Sequence, residues 1–165
     1  MTRFRTASRA AYDVAEFGSE EQCQIIVDHY EKTGNCFAAM CLSEPGAGSD
    51  NMGMTTTTKK QADGTYILKG QKTWVTNGAC SSYLVVIAKD EDPARENKNM
   101  SLWLVPSDTP GVSTAALTKL GQQTVPFVDV FFDDVVLTEA NRLGEAGQGW
   151  LLLMKNFEFE RCLVV

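Results

Sequence analysis

The pattern of apolar and polar positions changes period twice along the chain. From Ser19 to Gly34 the apolar residues Cys23, Ile26, Val27 and Tyr30 recur at helical spacing. Ser19 stands as an N-cap, Gln22 completes a capping box, Glu20 and Glu21 fill the first turn, and Gly34 supplies a stop. These signals predict one short amphipathic helix entered through the loop Phe17-Gly18-Ser19. The preceding segment, Ala7 to Val14, has helical composition but little periodicity. From Cys36 the period shortens. Cys36 to Leu42 is a nearly unbroken apolar run between Gly34-Asn35 and Pro45-Gly46, too short for a helix, which predicts a buried strand.

Strand and turn signals then alternate. Thr55 to Lys59 is Thr-rich, Asp63-Gly64 marks a hairpin before Tyr66-Ile67-Leu68, and Gly70 is expected to turn the chain into Thr73 to Thr76. Asn77-Gly78 is a further turn pair, and the all-apolar Tyr83 to Ala88 predicts a strand covered on both faces. Asp90 to Asn99 is charged, contains Pro93 and reads as an exposed loop. Leu102 to Val105, Val112 to Leu117 and Val128 to Phe132 are further strands, with a turn over Pro106 to Gly111. After the glycine-rich Gly144 to Gly149, Trp150 to Val165 is helical in composition. The expected fold is mainly β, a sandwich or barrel-like middle domain with a flanking helix at each end.

Composition narrows the class. A chain of 165 residues is a one-domain length, able to bury roughly 70% of the surface its unfolded form exposes. With 44% hydrophobic and 22% charged residues it has a globular composition. It contains no apolar run near the eighteen or so residues of a membrane span. Met1-Thr2-Arg3-Phe4-Arg5 is basic without a following apolar region, so no secretory signal is evident and a cytoplasmic location is expected. A net charge of −6 without clustered Lys and Arg argues against nucleic acid. The five cysteines are scattered, with no CxxC pair and only His29 to join them, which predicts reduced thiols rather than a metal site.

The candidate chemistry lies in three places. Where the apolar run ends, Cys41 to Asp50 empties into a loop in which Pro45 fixes its own φ and Gly46 and Gly48 are free to take positive φ. Backbone N–H groups bared in such a loop form a concavity suited to phosphate or a polarised carbonyl, with the Ser49 hydroxyl nearby. The alternative is a plain glycine turn, since the stretch fits neither the dinucleotide fingerprint nor the P-loop. Trp74 and Thr76 lie two apart, so on a strand an indole and a hydroxyl face one side; the alternative is a core aromatic beside an ordinary strand threonine. The last helix carries Glu158, Glu160 and Arg161, where Glu158 and Arg161, three apart, could form a surface pair worth about 0.2–0.5 kcal/mol.

Cys41 to Asp50 resembles the "TEPGAGSD" loop of the flavin-dependent acyl-CoA dehydrogenases, and Lys72-Thr73-Trp74-Val75-Thr76-Asn77-Gly78 resembles their "KxWITNG" strand. Phe17 to Gln22 upstream, with Phe132 to Val135 and Asn141 to Gly144 downstream, extend the resemblance over roughly residues 15 to 165. The resemblance implies a remnant of an N-terminal helical domain at 1–34, a β-domain binding flavin and acyl-CoA at 35–140, and the start of a C-terminal helical domain at 141–165.

It implies FAD as cofactor, lined by backbone from Met40 to Gly48 (Met40, Cys41, Leu42, Ser43, Gly46 and Gly48) and by Trp74, Val75 and Thr76. Ser43 stands where the family usually has Thr, on the pyrimidine side of the flavin, and Met40 where a tyrosine is common. Ser49, Glu158 and Arg161 would face the acyl-CoA substrate. The pair Glu160-Arg161 is similar to the "GluArg" pair of a minority of members resembling isovaleryl-CoA dehydrogenase, which makes Glu160 the candidate base. Dehydrogenation of a thioester needs a base to take the α-proton, and a desolvated glutamate has its pKa raised towards that task.

The implied function is α,β-dehydrogenation of an acyl-CoA to the trans-enoyl-CoA. Electrons would pass to an electron-transfer flavoprotein, and the parent protein would be a homo-oligomer. The rival readings are a non-catalytic β-sandwich interaction module or degenerate relative, and an acyl-CoA or nitroalkane oxidase on the same scaffold.

Overall fold

A computed structural model of the chain describes residues 2–34, 37–91 and 99–163. Two helices open it, α1 (Thr2–Phe17) and α2 (Glu20–Thr33). The start of α2 follows the sequence signals: the Ser19 hydroxyl accepts from the Gln22 N–H at 3.2 Å and the Gln22 carboxamide accepts from the Ser19 N–H at 2.9 Å. Gly34 closes the helix in the left-handed region, φ +62°, with its N–H donated to Tyr30 O. Gln22 also donates to the carbonyls of Ala140 at 2.8 Å and Arg142 at 3.0 Å, so the capping residue fastens α2 to the far end of the chain.

The strands are β1 (Ala38–Cys41), β2 (Thr57–Lys60), β3 (Tyr66–Thr76), β4 (Tyr83–Asp90), β5 (Met100–Pro106), β6 (Val112–Ala116), β7 (Phe127–Leu137) and β8 (Arg142–Leu143), and α3 (Gly149–Leu163) follows. They form one eight-stranded sheet in the order β6-β7-β3-β2-β4-β5-β8, with β1 also on β4. One edge of β4 is shared: β1 pairs with its first half and β2 with its last residues, both parallel, while β5 runs antiparallel along the other edge.

Because β4 and β5 are covered on both faces, their side chains divide between two cores. Leu84, Val86, Ala88, Trp103 and Val105 join Ala39, Cys41, Leu68, Val75 and the apolar residues of β7 inside the curled sheet. Val85, Ile87, Met100, Leu102 and Leu104 point the other way, against Ala10 and Val14 of α1 and Leu152 and Leu153 of α3. The all-apolar stretch Tyr83 to Ala88 is therefore the two-faced strand its composition predicts.

On β8, at one end of the sheet, the Arg142 guanidinium lies 4.2 Å from the Trp103 ring and 4.9 Å from the Tyr66 ring. It donates to Glu139 at 2.6 Å and to Ser101 at 2.5 Å, tying β8 to β3 and β5. Stacking between two aromatic faces compensates part of the cost of burying the cation.

The fold departs from the sequence expectation at three points. Gly70 does not turn the chain; β3 runs through it at φ +145°, where a Cβ would lie 2.6 Å from Thr56 Oγ1. Two helices, not one, precede the sheet, and the two-residue β8 carried no strand signal. Cys36 and most of the loop before Asn99 lie outside the described residues. No described helix is long and apolar enough to cross a membrane.

Candidate active site

Alternation along β1 sends Ala39 and Cys41 into the sheet interior and turns Met40 and Leu42 towards the helices. The chain leaves the strand at Ser43 and enters a tight turn, in which Glu44 N donates to Ala47 O at 2.9 Å and Ala47 N to Glu44 O at 3.1 Å. A buried ion pair fixes the turn to β3: Glu44 Oε1 lies 2.9 Å from Lys72 Nζ, with the two side chains 3% and 0% exposed.

The remaining lone pairs of the carboxylate are used. They accept the Thr55 N–H at 2.6 Å, the Thr55 hydroxyl at 2.8 Å and the Thr56 N–H at 2.9 Å, while Lys72 also donates to Leu42 O at 3.0 Å. Burial pushes the Glu44 pKa up, but the hydrogen bonds from Thr56 and Thr55 and the Lys72 ammonium outweigh it and hold the group down to about 2. Burial lowers the Lys72 pKa, and Glu44 opposes that. Removing one member of such a pair costs about 3–5 kcal/mol.

Thr73 continues the fastening. Its N–H donates to Ser43 O at 2.8 Å, and its hydroxyl to Asp129 Oδ1 on β7 at 2.5 Å. The next residue, Trp74, is held at φ +58° and is 60% exposed. A bulky residue in the left-handed region is a true outlier, carrying about 1–3 kcal/mol of local strain. Helix α3 lies over this end of β3, held to α1 by the bond from Asn156 Nδ2 to Asp13 Oδ1 at 2.6 Å and by the stacking of Tyr12 on Phe159 at 4.3 Å.

Between these elements lies an open cavity of about 150 Å³ lined by Met40, Leu42, Ser43, Thr73, Trp74, Thr76, Asn156, Phe157 and Glu160. Glu160 is its only ionisable lining residue among those described. The cavity fits a flat aromatic ligand with polar edges. It presents an exposed indole face, and among the described residues the hydroxyls of Ser43 and Thr76 have no hydrogen bond. The neighbouring N–H groups of Gly46, Gly48 and Ser49 are likewise unspent within the described chain. A Cβ at Gly46 or Gly48 would meet no atom of the chain within 4 Å, so the space above the turn is open to a ligand.

The family model for the acyl-CoA dehydrogenase middle domain matches residues 39–135, more than half of the chain. The chain belongs to the acyl-CoA dehydrogenase family. It is 37% identical to the probable acyl-CoA dehydrogenase YdiO of Escherichia coli K12 over 96% of its own length and 41% of that relative's. Among solved structures, butyryl-CoA dehydrogenase from Megasphaera elsdenii superimposes with a TM-score of 0.85 at 30% identity, over 94% of this chain and 40% of that one. An acyl-CoA dehydrogenase from Bacillus anthracis complexed with FAD superimposes with a TM-score of 0.80 at 31% identity, over 90% of this chain and 25% of that one. The chain thus spans about two fifths of the length of YdiO and of butyryl-CoA dehydrogenase.

Within this acyl-CoA dehydrogenase middle domain the expected site residues separate into groups. Met40, Leu42, Ser43, Trp74, Thr76 and Glu160 come together in the cavity, from three separate stretches of sequence. Cys41 and Val75 do not reach it with their side chains, because both point into the sheet interior. Burial drives the Cys41 thiol pKa up to about 12. Gly46 and Gly48 are exposed beside the cavity and neither takes a positive φ. Neither backbone conformation nor packing within the described chain therefore requires glycine at these two positions.

Ser49, Glu158 and Arg161 are exposed and lie outside the cavity lining. Trp74 and Thr76 share a side because they lie two apart, with Val75 turned inwards between them; the irregularity between Lys72 and Val75 is what makes that side the cavity side. Sequence reasoning missed Thr73, Asn156 and Phe157. A polar Asn within the apolar first half of α3 was the available signal for the second.

Proposed function

We propose that this chain forms the flavin- and thioester-binding wall of an acyl-CoA dehydrogenase that converts an acyl-CoA to the trans-enoyl-CoA. The observation that supports it is the meeting, in one cavity, of the Trp74 indole, the unspent hydroxyls of Ser43 and Thr76 and the single carboxylate of Glu160. At about 150 Å³ the cavity is smaller than the roughly 300–1,000 Å³ of complete ligand pockets. It is one wall of a larger site.

Trp74 would cover a face of the flavin, and the Thr76 and Ser43 hydroxyls would orient its polar edges. When bound, FAD supplies the hydride acceptor. Glu160 takes the proton from the α-carbon of the thioester, which the carbonyl makes acidic; its place on α3 brings a carboxylate to the rim of the same cavity that holds Trp74 and Thr76. Met40, Leu42 and Phe157 keep the floor apolar and exclude water from the reacting bond. The electrons would leave to an electron-transfer flavoprotein, in keeping with the family.

The test is anaerobic addition of an acyl-CoA to the FAD-loaded protein. In the parent protein the native sequence is expected to lose its visible flavin absorbance, and Glu160→Gln to bind FAD with unchanged affinity while bleaching at least a hundredfold more slowly. Equal bleaching by the two would remove Glu160 as the base.

A further inference from the structure

The pairing of β3 with β7 contains two irregularities of opposite sense. Between Leu68↔Val135 and Gly70↔Phe132, β7 carries the extra residue; between Lys72↔Val130 and Val75↔Val128, β3 does. Each extra residue reverses the inward and outward alternation of its own strand. The interior residues record both reversals. On β3, Tyr66 and Leu68 point inwards, and so does Val75; on β7, Leu137 and Val135 point inwards, and so do Phe132, Val130 and Val128.

Without the second irregularity Trp74 would keep the phase of Tyr66 and Leu68, and its indole would enter the sheet interior. With it, Trp74 is turned out to the cavity. The two residues Thr73 and Trp74 then stand opposite the single residue Asp129. Asp129 accepts the Thr73 hydroxyl at 2.5 Å, Ser43 O accepts the Thr73 N–H at 2.8 Å, and Trp74 holds φ +58°.

We infer that Asp129 is a positioning residue: through the Thr73 hydroxyl it holds the two-against-one bulge of β3, and the bulge displays the Trp74 indole to the ligand. The functional part of this inference rests on the flavin reading above; the conformational part does not. A strained left-handed tryptophan persists only where its surroundings over-determine it. The Asp129 carboxylate on one side and the Ser43 carbonyl on the other are what grip the residue before it. Asp129 lies outside the cavity lining, and Thr73, which lines it, has its hydroxyl donated to Asp129.

The test uses amide hydrogen exchange of the Thr73 N–H and acrylamide quenching of Trp74 in the native chain. The Trp74 signal is obtained as the difference from Trp74→Phe, because the chain has three tryptophans. Thr73→Val, which keeps the β-branched shape and removes only the hydroxyl, and Asp129→Leu are expected to lower Thr73 protection at least tenfold and to change Trp74 quenching at least twofold. Thr73→Ser and Asp129→Asn, which keep donor and acceptor, are expected to restore native values.

Should Asp129→Leu fail to fold, Thr73→Val decides alone. Native protection and native quenching in Thr73→Val would overturn the inference. FAD affinity, measured on the same variants, separates the two claims. A bulge that relaxes without change in FAD affinity sustains the conformational part alone and removes Trp74 from the flavin site. A drop in affinity in Trp74→Ala, with no response of the bulge in Thr73→Val, does the reverse.

Discussion

Trp74 is where conformation and proposed chemistry conflict. Its backbone at φ +58° suits glycine, and the residue is 60% exposed, so only part of its surface recovers burial energy against the strain it imposes. Trp74→Gly should therefore raise stability by about 1 kcal/mol, read as a higher urea midpoint at unchanged slope. It should also weaken FAD binding at least tenfold. A lower midpoint would mean that the left-handed tryptophan is not strained.

Nothing in Lys72-Thr73-Trp74-Val75-Thr76 announces that conformation. Tryptophan is a common strand residue, and the positive φ follows from the register β7 imposes. The two-residue spacing of Trp74 and Thr76 gave the right common side, but that this side faces the cavity and not the sheet interior is set by a bulge that spacing could not show. Glu160 was legible as a helical carboxylate beside an arginine. That it alone of Glu158, Glu160 and Arg161 lines the cavity is set by how α1 and the sheet seat α3.

Among the elements, the turn after β1 and strand β3 act as one unit through the Glu44–Lys72 pair. Glu44→Gln and Lys72→Met should each cost about 3–5 kcal/mol, because each leaves a buried partner uncompensated. The double variant should cost clearly less than the sum of the two, since it removes both charges. Additive losses in denaturant melts would show that the two groups do not act on each other.

Gly70→Ala is expected to destabilise by more than about 1 kcal/mol, because its Cβ would meet Thr56 Oγ1 at 2.6 Å and the residue holds φ +145°. The caps of α2 were readable because they are local: Ser19, Gln22 and Gly34 act within one turn of their own positions. The continuity of β3 through Gly70 was not, because a glycine between two apolar runs signals a turn. Here close approach to Thr56 is what requires it. Lys72 sat in a recognised motif, but its partner is 28 residues away, a distance that only the fold closes.

For the molecule as a whole, acid should act through Glu44. Its folded pKa of about 2 lies below the ordinary 4.5, so the ionised group contributes stability that is fully present above pH 4.5. That contribution is lost as pH falls through 4.5 towards 2. The shift corresponds to about 3 kcal/mol. The denaturant midpoint should decline over that window in the native chain, and Glu44→Gln should show a shallower decline.

The mainly β architecture was legible from short strands, turn pairs and the fully apolar Tyr83 to Ala88. The curling of one sheet, with β1 and β2 sharing an edge of β4, was not, because strand order depends on contacts distant in sequence. The Arg142 cluster was hidden for the same reason: Tyr66, Ser101, Trp103 and Glu139 meet only in the folded state.

The cleft between the Ser43 turn, β3 and α3 is the place proposed to receive a flavin. Titration of the purified protein with FAD, followed by flavin fluorescence, tests it most directly, with Val136→Ala on the exposed far end of β7 as the control. Saturable binding is expected in the native chain and in Val136→Ala, weakened at least tenfold by Trp74→Ala and measurably by Thr76→Val. Equal FAD affinity in all four proteins, or no binding in any, would contradict it.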